Sequence, residues 1–294
     1  MENKNFPIYS LPDFLLKEVI KRSLEEDIEN GDLTSSLLIP RNEKAKAHII
    51  VREEAVLSGL EVACQVFSYI DPSLRCVSLF MDGQKVEKNT PIIEISGNAQ
   101  AILMGERVAL NFLSHLCGIA TLTYRFVEVL RESKTKILDT RKTLPGLRFL
   151  QKYAVLCGGG ANHRYSLSEH VLIKDNHLSL IRRKMGESWL EWLQEKITII
   201  RQHKPLVRIE IETKTLEELC CICTLSPDII MLDNMELNQI SEAIKIINHK
   251  ALVEVSGRVN LEKLQAVARL GVDFVSLGLL THSAQAVDVS MDIL

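Results

Sequence analysis

What most limits the fold of this chain is a rhythm that begins at Thr135. Short apolar segments recur around Ile137, Ile173, Ile209, Ile230, Val253 and Val275. Helical patterns lie between most of them: Trp189 to His203, Leu216 to Cys223, Leu237 to Ile247 and Leu261 to Leu270. Strands that alternate with helices are expected to pair in parallel through right-handed crossovers. No Gly-rich dinucleotide fingerprint follows the first strand, which favours a barrel or partial barrel of about six βα units over a doubly wound sheet.

The part before residue 115 is patterned differently. Leu15, Leu16, Val19, Ile20 and Leu24 fall at helical spacing, with Pro12 at the start and Gly31 as the stop. Extended segments such as Ala47 to Val51 follow, and DGQKVEKNTPIIEISG (Asp82 to Gly97) reads as turn, short strand, turn, strand. A small α+β domain with an exposed sheet is expected. A helix from about Ala101 to Leu116 links the two parts, and on it Arg107 shares a stripe with Leu103 and Leu110. On pattern alone Arg107 is a surface arginine whose stem lies along apolar neighbours.

Composition sets the class. The formal net charge of -3 over 294 residues argues against a general nucleic-acid binder, yet a cleft can still be locally cationic. No apolar run approaches the ~18 residues of a membrane span, and MENKNFPIYS lacks the apolar core of a signal peptide. Seven cysteines without a framework read as reduced thiols, so a cytoplasmic location is expected. Cys220, Cys221 and Cys223 read as buried thiols of a helix rather than metal ligands, since no second ligand pair stands at suitable spacing.

The expected strand ends carry a charge plan. The first ends in Thr140, Arg141 and Lys142. The loop before the second holds Gly158, Gly159, Gly160, His163 and Arg164, and that strand ends at Lys174. The third ends in Glu212, the fourth in Asp233, the fifth in Ser256-Gly257 and the sixth in Gly278. Barrels collect their active sites at these ends. Cations converging there need an anion between them, and arginine suits carboxylate or phosphate through its planar fork. The two carboxylates suit a divalent metal carrying a phosphorylated ligand, or stabilise a developing cation. The Ser and Gly turns let backbone N–H groups approach a phosphate. In VRIEIE, Val207, Ile209 and Ile211 alternate with Arg208, Glu210 and Glu212, whose face is expected towards the barrel interior. Arg208 and Glu210 read equally well as a structural ion-pair network or as functional groups; Glu212, nearest the rim, reads as functional.

LDTRKTLPGLR (Leu138 to Arg148), KYAVLCGGGANHR (Lys152 to Arg164) and LIKDNH (Leu172 to His177) closely resemble quinolinate phosphoribosyltransferases. So do GDLT (Gly31 to Thr34), MLDN (Met231 to Asn234), EVSG (Glu254 to Gly257) and GVDFVSLGLLTHS (Gly271 to Ser283). The resemblance implies an α/β fold: an N-terminal α/β open sandwich over 1–115, then an incomplete parallel α/β barrel as the catalytic domain over 116–282, with the tail 283–294 packed back on the sandwich. It implies a homodimer and transfer of phosphoribose from phosphoribosyl pyrophosphate to quinolinate, with loss of CO2, giving nicotinate mononucleotide and pyrophosphate.

By the same resemblance, Thr140, Arg141, His163, Arg164 and Lys174 are expected to bind quinolinate, with Arg107 supplied across the subunit interface in place of its surface reading. Lys142 bridges the substrates, Glu212 and Asp233 stand near the ribose and Mg2+, and Ser256, Gly257, Gly278 and His282 form the phosphate cup. Two departures stand out. Many members have glycine where this chain has Arg258, and Arg182 to Pro205, with its two tryptophans, fits the family only loosely. A nicotinate-using phosphoribosyltransferase would need fewer cations, and a retired paralogue would have lost a rim residue; neither fits this rim.

Overall fold

The computed structural model describes residues 11–294, so the segment MENKNFPIYS lies outside the described residues. The chain divides into two compact units. One comprises residues up to Arg125 together with Lys142–Gly160 and Leu279–Leu294; the other comprises Phe126–Arg141 and Ala161–Gly278.

The first unit is built on an antiparallel sheet in which strand Lys44–Val51 lies between Val289–Ile293 and Thr90–Asn98, with Arg75–Ser78 on the far edge. The C-terminal strand is held in register by pairs such as Ala47↔Ile293 and Val51↔Val289. Ala47, Ile49 and Val51 are fully buried, as alternation along a half-covered strand requires. The helix Leu60–Ile70 packs against Arg75–Ser78 and against Asp13–Ile28, which buries Leu16, Ile20 and Leu24. Pro12 precedes that first helix as expected, and Gly31 N–H closes it by donating to Ile28 O.

The linking helix is much longer than its sequence pattern suggested, running Ala99–Val129. Gly118 lies within this helix, past the expected end, and its missing side chain serves a close approach. A Cβ there would lie 2.1 Å from Gln285 O.

The second unit holds a six-stranded parallel sheet: β1 (Lys136–Leu138), β2 (Val171–Ile173), β3 (Ile209–Thr213), β4 (Ile229–Asp233), β5 (Leu252–Ser256) and β6 (Phe274–Ser276). The spatial order is β1-β6-β5-β4-β3-β2, so the ring opens between β1 and β2. This is the incomplete barrel expected. Helices Trp189–His203, Leu216–Cys223 and Leu237–Ile247 coincide with their sequence patterns, and Leu261–Arg269 ends one residue early.

Two details depart from expectation. β3 begins at Ile209, which leaves Arg208 exposed rather than interior. In Leu216–Cys223 the buried positions are Leu219 and Ile222; Cys220 is exposed, and Cys221 and Cys223 are half-buried. A helix buries the stripe its phase dictates, and the cysteines flank that stripe.

Candidate active site

The site grows from the ends of the parallel strands. After β1, Asp139 is buried and its Oδ1 accepts the backbone N–H of His163 at 2.9 Å, tying the two loops together. Thr140 and Arg141 follow, both half-buried. Arg164 is buried, and its Nη1 donates to His170 O at 3.1 Å. The Nε atoms of Arg141 and Arg164 are both buried without a hydrogen-bond partner among the described residues. Burial, and then the nearby Arg141 charge, hold the Arg164 guanidinium below its ordinary pKa. Two like charges with unused donors in a poorly solvated place form a socket for an anion.

Beneath these arginines lies a buried cluster of which the sequence reading named only Glu210 and His163. Glu210 on β3 is fully buried, and its Oε2 accepts from His170 Nε2 at 2.9 Å and lies 3.2 Å from His163 Nε2. Glu254 on β5 places Oε1 3.6 Å from the same His163 nitrogen. Burial works to raise the Glu210 pKa, but hydrogen bonds from His163 and His170 bring it below the ordinary carboxylate value. Glu254 shifts the other way. Burial, followed by the charge of Glu210, pushes it up to about 7.

Glu212, two residues along the same strand, has different neighbours. Burial, then the charges of Asp233 and Asp175, raise its pKa against the opposing effect of Lys174 and Lys214. Lys174 is exposed at the end of β2, and its backbone N–H donates to His177 Nδ1 at 2.9 Å as the helix Asp175–Met185 begins. Asp233 is half-buried at the end of β4, where Asn234 Nδ2 donates to its Oδ2 at 2.8 Å. Asn234 N–H also donates to Ser256 O at 3.0 Å, and a Cβ on Gly257 would stand 2.5 Å from Asn234 Oδ1. Gly257 has φ +120°, so this turn requires glycine on both counts. Ser256, paired in register with Asp233, and Gly278 are half-buried.

Three residues from the sequence reading belong to the other unit. Arg107 is exposed on the long helix, and Lys142 is exposed with its carbonyl accepting from Thr281 Oγ1 at 2.7 Å. His282 is exposed, its Nδ1 2.6 Å from Ser283 Oγ.

Family models describing the quinolinate phosphoribosyl transferase N-terminal and C-terminal domains match residues 32–117 and 119–292. The chain belongs to the quinolinate phosphoribosyltransferase family. It is 40% identical over 292 residues to a probable nicotinate-nucleotide pyrophosphorylase (carboxylating) of Methanocaldococcus jannaschii, covering 96% of this chain and 98% of that protein. A protein of the same description from Bacillus subtilis is 38% identical, with coverage of 95% and 93%. The solved nicotinate-nucleotide pyrophosphorylase of Francisella tularensis superposes with a TM-score of 0.88 at 37% identity, covering 98% and 99%.

Within this phosphoribosyltransferase chain, the second unit brings Thr140, Arg141, His163, Arg164, Lys174, Glu212, Asp233, Ser256, Gly257 and Gly278 into one compact body. Sequence reasoning missed His170, Glu254 and Asn234. Asn234 was visible as a polar residue following a strand-end acid. His170 carried no signal, because one histidine before a strand looks like any loop residue. Arg258 is exposed beside Gly257. The loosely fitting segment makes a local stack: the Arg182 guanidinium sits 4.4 Å from the Trp189 ring centre and donates to Glu218 at 2.7 Å.

Proposed function

We propose that this chain transfers the phosphoribosyl group of phosphoribosyl pyrophosphate to the nitrogen of quinolinate and releases CO2, giving nicotinate mononucleotide and pyrophosphate. The observation that carries this reading is the pair of arginines Arg141 and Arg164, each with a buried, unused Nε donor, in a chain of this family. Quinolinate is a dianion, and two such donors match its carboxylates. Thr140, Lys174 and Arg107 complete the set, with His163 standing behind Arg164. Lys142 spans the two anionic substrates, and the backbone turns at Ser256-Gly257 and Gly278, with His282, hold the phosphate. Positioning two reactants in this way is worth on the order of 7–11 kcal/mol in favourable cases.

Glu212 and Asp233 suit Mg2+ as a cofactor. Burial, and after it the charge of Asp233, raises the Glu212 pKa, and a divalent cation between the two carboxylates would relieve the repulsive part. Bound there, Mg2+ would neutralise charge on the pyrophosphate leaving group. The carboxylates themselves stabilise the positive charge that develops on the ribose as the glycosidic bond changes partners. Arg141 and Arg164 hold the ring while the carboxylate next to its nitrogen leaves as CO2, and the electron pair left on that ring carbon takes a proton from the pocket.

Arg107, exposed on its helix, acts in the site of a second copy, so the working form is a homodimer. Inactive Arg107→Ala and Lys174→Ala chains, mixed under conditions of subunit exchange, should recover activity, since one site of each heterodimer escapes both lesions. No recovery after proven exchange would remove the shared site. Among the described residues no helix is long and apolar enough to cross a membrane. All seven cysteines are unpaired, which supports work in the reducing cytoplasm. The activity is tested by supplying the purified protein with phosphoribosyl pyrophosphate, Mg2+ and either quinolinate or nicotinate. Nicotinate mononucleotide is expected from quinolinate only, and equal use of nicotinate would overturn the reading.

A further inference from the structure

We infer that Glu210 is a positioning residue for substrate binding: through His163 and His170 it sets the orientation of the Arg164 guanidinium. The inference rests on the quinolinate reading above and concerns a part of that site which no substrate atom needs to touch. The geometry is a clasp with Arg164 at its mouth. Arg164 N–H donates to His163 Nδ1 at 2.8 Å, and Arg164 Nη1 donates to the carbonyl of His170 at 3.1 Å. Both histidine rings then turn Nε2 onto a single atom, Glu210 Oε2, at 3.2 and 2.9 Å. One buried carboxylate thus restrains the arginine at its backbone and at the tip of its side chain.

The bonds also define what His163 can do. Because Nδ1 accepts the Arg164 N–H, it carries no proton, and Nε2–H faces Glu210. Both ring nitrogens are engaged inside the fold, which leaves the ring as a strut rather than a ligand for the substrate. The same tautomer argues against a metal here, although His163, His170 and Glu210 bring three ligand atoms within 4.8 Å of one another. A metal on Nε2 would displace the ring's only proton, since Nδ1 must stay an acceptor. Holding an arginine with unused donors in a fixed pose also lowers the ordering cost of anion binding. The rings support each other, with centroids 5.1 Å apart and planes tilted by 52°.

The test is a double-mutant cycle between Glu210→Leu and Arg164→Ala, read as kcat/KM for quinolinate and for phosphoribosyl pyrophosphate. In the wild-type background Glu210→Leu should lower kcat/KM for quinolinate about tenfold or more, mainly through KM, because a clasped charge is loosened. The KM for phosphoribosyl pyrophosphate should stay within about twofold. In the Arg164→Ala background the same change should cost less than about twofold, because the group it acts through is gone. Glu210→Gln, which keeps an acceptor, should restore most of the loss. A full loss that persists without Arg164, or no loss with Arg164 present, overturns the inference. Wild-type protein that does not use quinolinate would instead overturn the proposed function. Should Glu210→Leu fail to fold, His163→Leu takes its place in the cycle, with the same loss expected beside Arg164 and the same sparing without it.

Discussion

Glu210 and Glu212 sit on one strand, on one face, a single pleat apart, yet their surroundings drive them in opposite directions. Glu210 meets two imidazole donors and is held below the ordinary carboxylate pKa; Glu212 is raised by burial and then by the charges of Asp233 and Asp175. Strand geometry explains the shared face, and position along the strand explains the rest. The inner carboxylate is held by the fold through one oxygen, Oε2, which faces both imidazoles. The outer one, at the strand end, keeps a repulsion that Lys174 and Lys214 only partly offset and that a cation or a developing positive charge can relieve. Residue type and face therefore do not define a role; the partners do.

The largest effect should fall on the outer pair. Asp233→Asn should lower kcat by on the order of 100-fold, about 3 kcal/mol, with quinolinate binding nearly unchanged. Steady-state kinetics showing only a raised KM for quinolinate would move Asp233 out of the transition state. Next comes the socket above the inner acid. Arg164→Ala should weaken quinolinate by about 2–5 kcal/mol and phosphoribosyl pyrophosphate far less. Equal losses for both substrates in calorimetry would reassign that arginine.

Glu254 sharpens the contrast through pH. Its folded pKa, about 7, stands above its ordinary value of 4.5, so the folded chain keeps a proton that the unfolded chain has lost. That contribution to stability is fully present below about 4.5 and fades as pH rises to about 7, a change of at most about 3 kcal/mol. Glu254→Gln mimics the protonated form at every pH. The stability of the variant relative to the parent should therefore climb across this window in urea titrations, and a flat difference would contradict the shift. The smallest effect belongs to Arg258, exposed beside the Ser256-Gly257 turn. Arg258→Gly should change affinity for phosphoribosyl pyrophosphate by less than about 1 kcal/mol. A larger loss, growing at low salt, would make Arg258 a phosphate ligand.

Much of the scaffold was legible because periodicity reports burial directly. The alternation Ile209, Ile211 against Glu210, Glu212 placed β3, and apolar stripes bounded the helices Leu216–Cys223 and Leu237–Ile247. The pattern failed where a residue's reason lay in a distant partner. The helix expected to end near Leu116 runs on through Gly118, whose missing Cβ makes room for Gln285 O, far away in sequence. Cys220 was read as buried because its neighbours are apolar, though the helix phase turns it outward. The motifs named the arginines and acids at the strand ends. They did not name His170, whose ring makes sense only beside Glu210.

The division between the inner and outer acids is tested most directly by making Glu210→Leu and Glu212→Leu side by side and measuring kcat and the quinolinate dissociation constant of each. Glu210→Leu should weaken binding about tenfold while kcat at saturation stays within about threefold; Glu212→Leu should lower kcat about 100-fold while binding stays within about threefold. If both variants change the same constant in the same proportion, the two carboxylates share one role and the division is wrong.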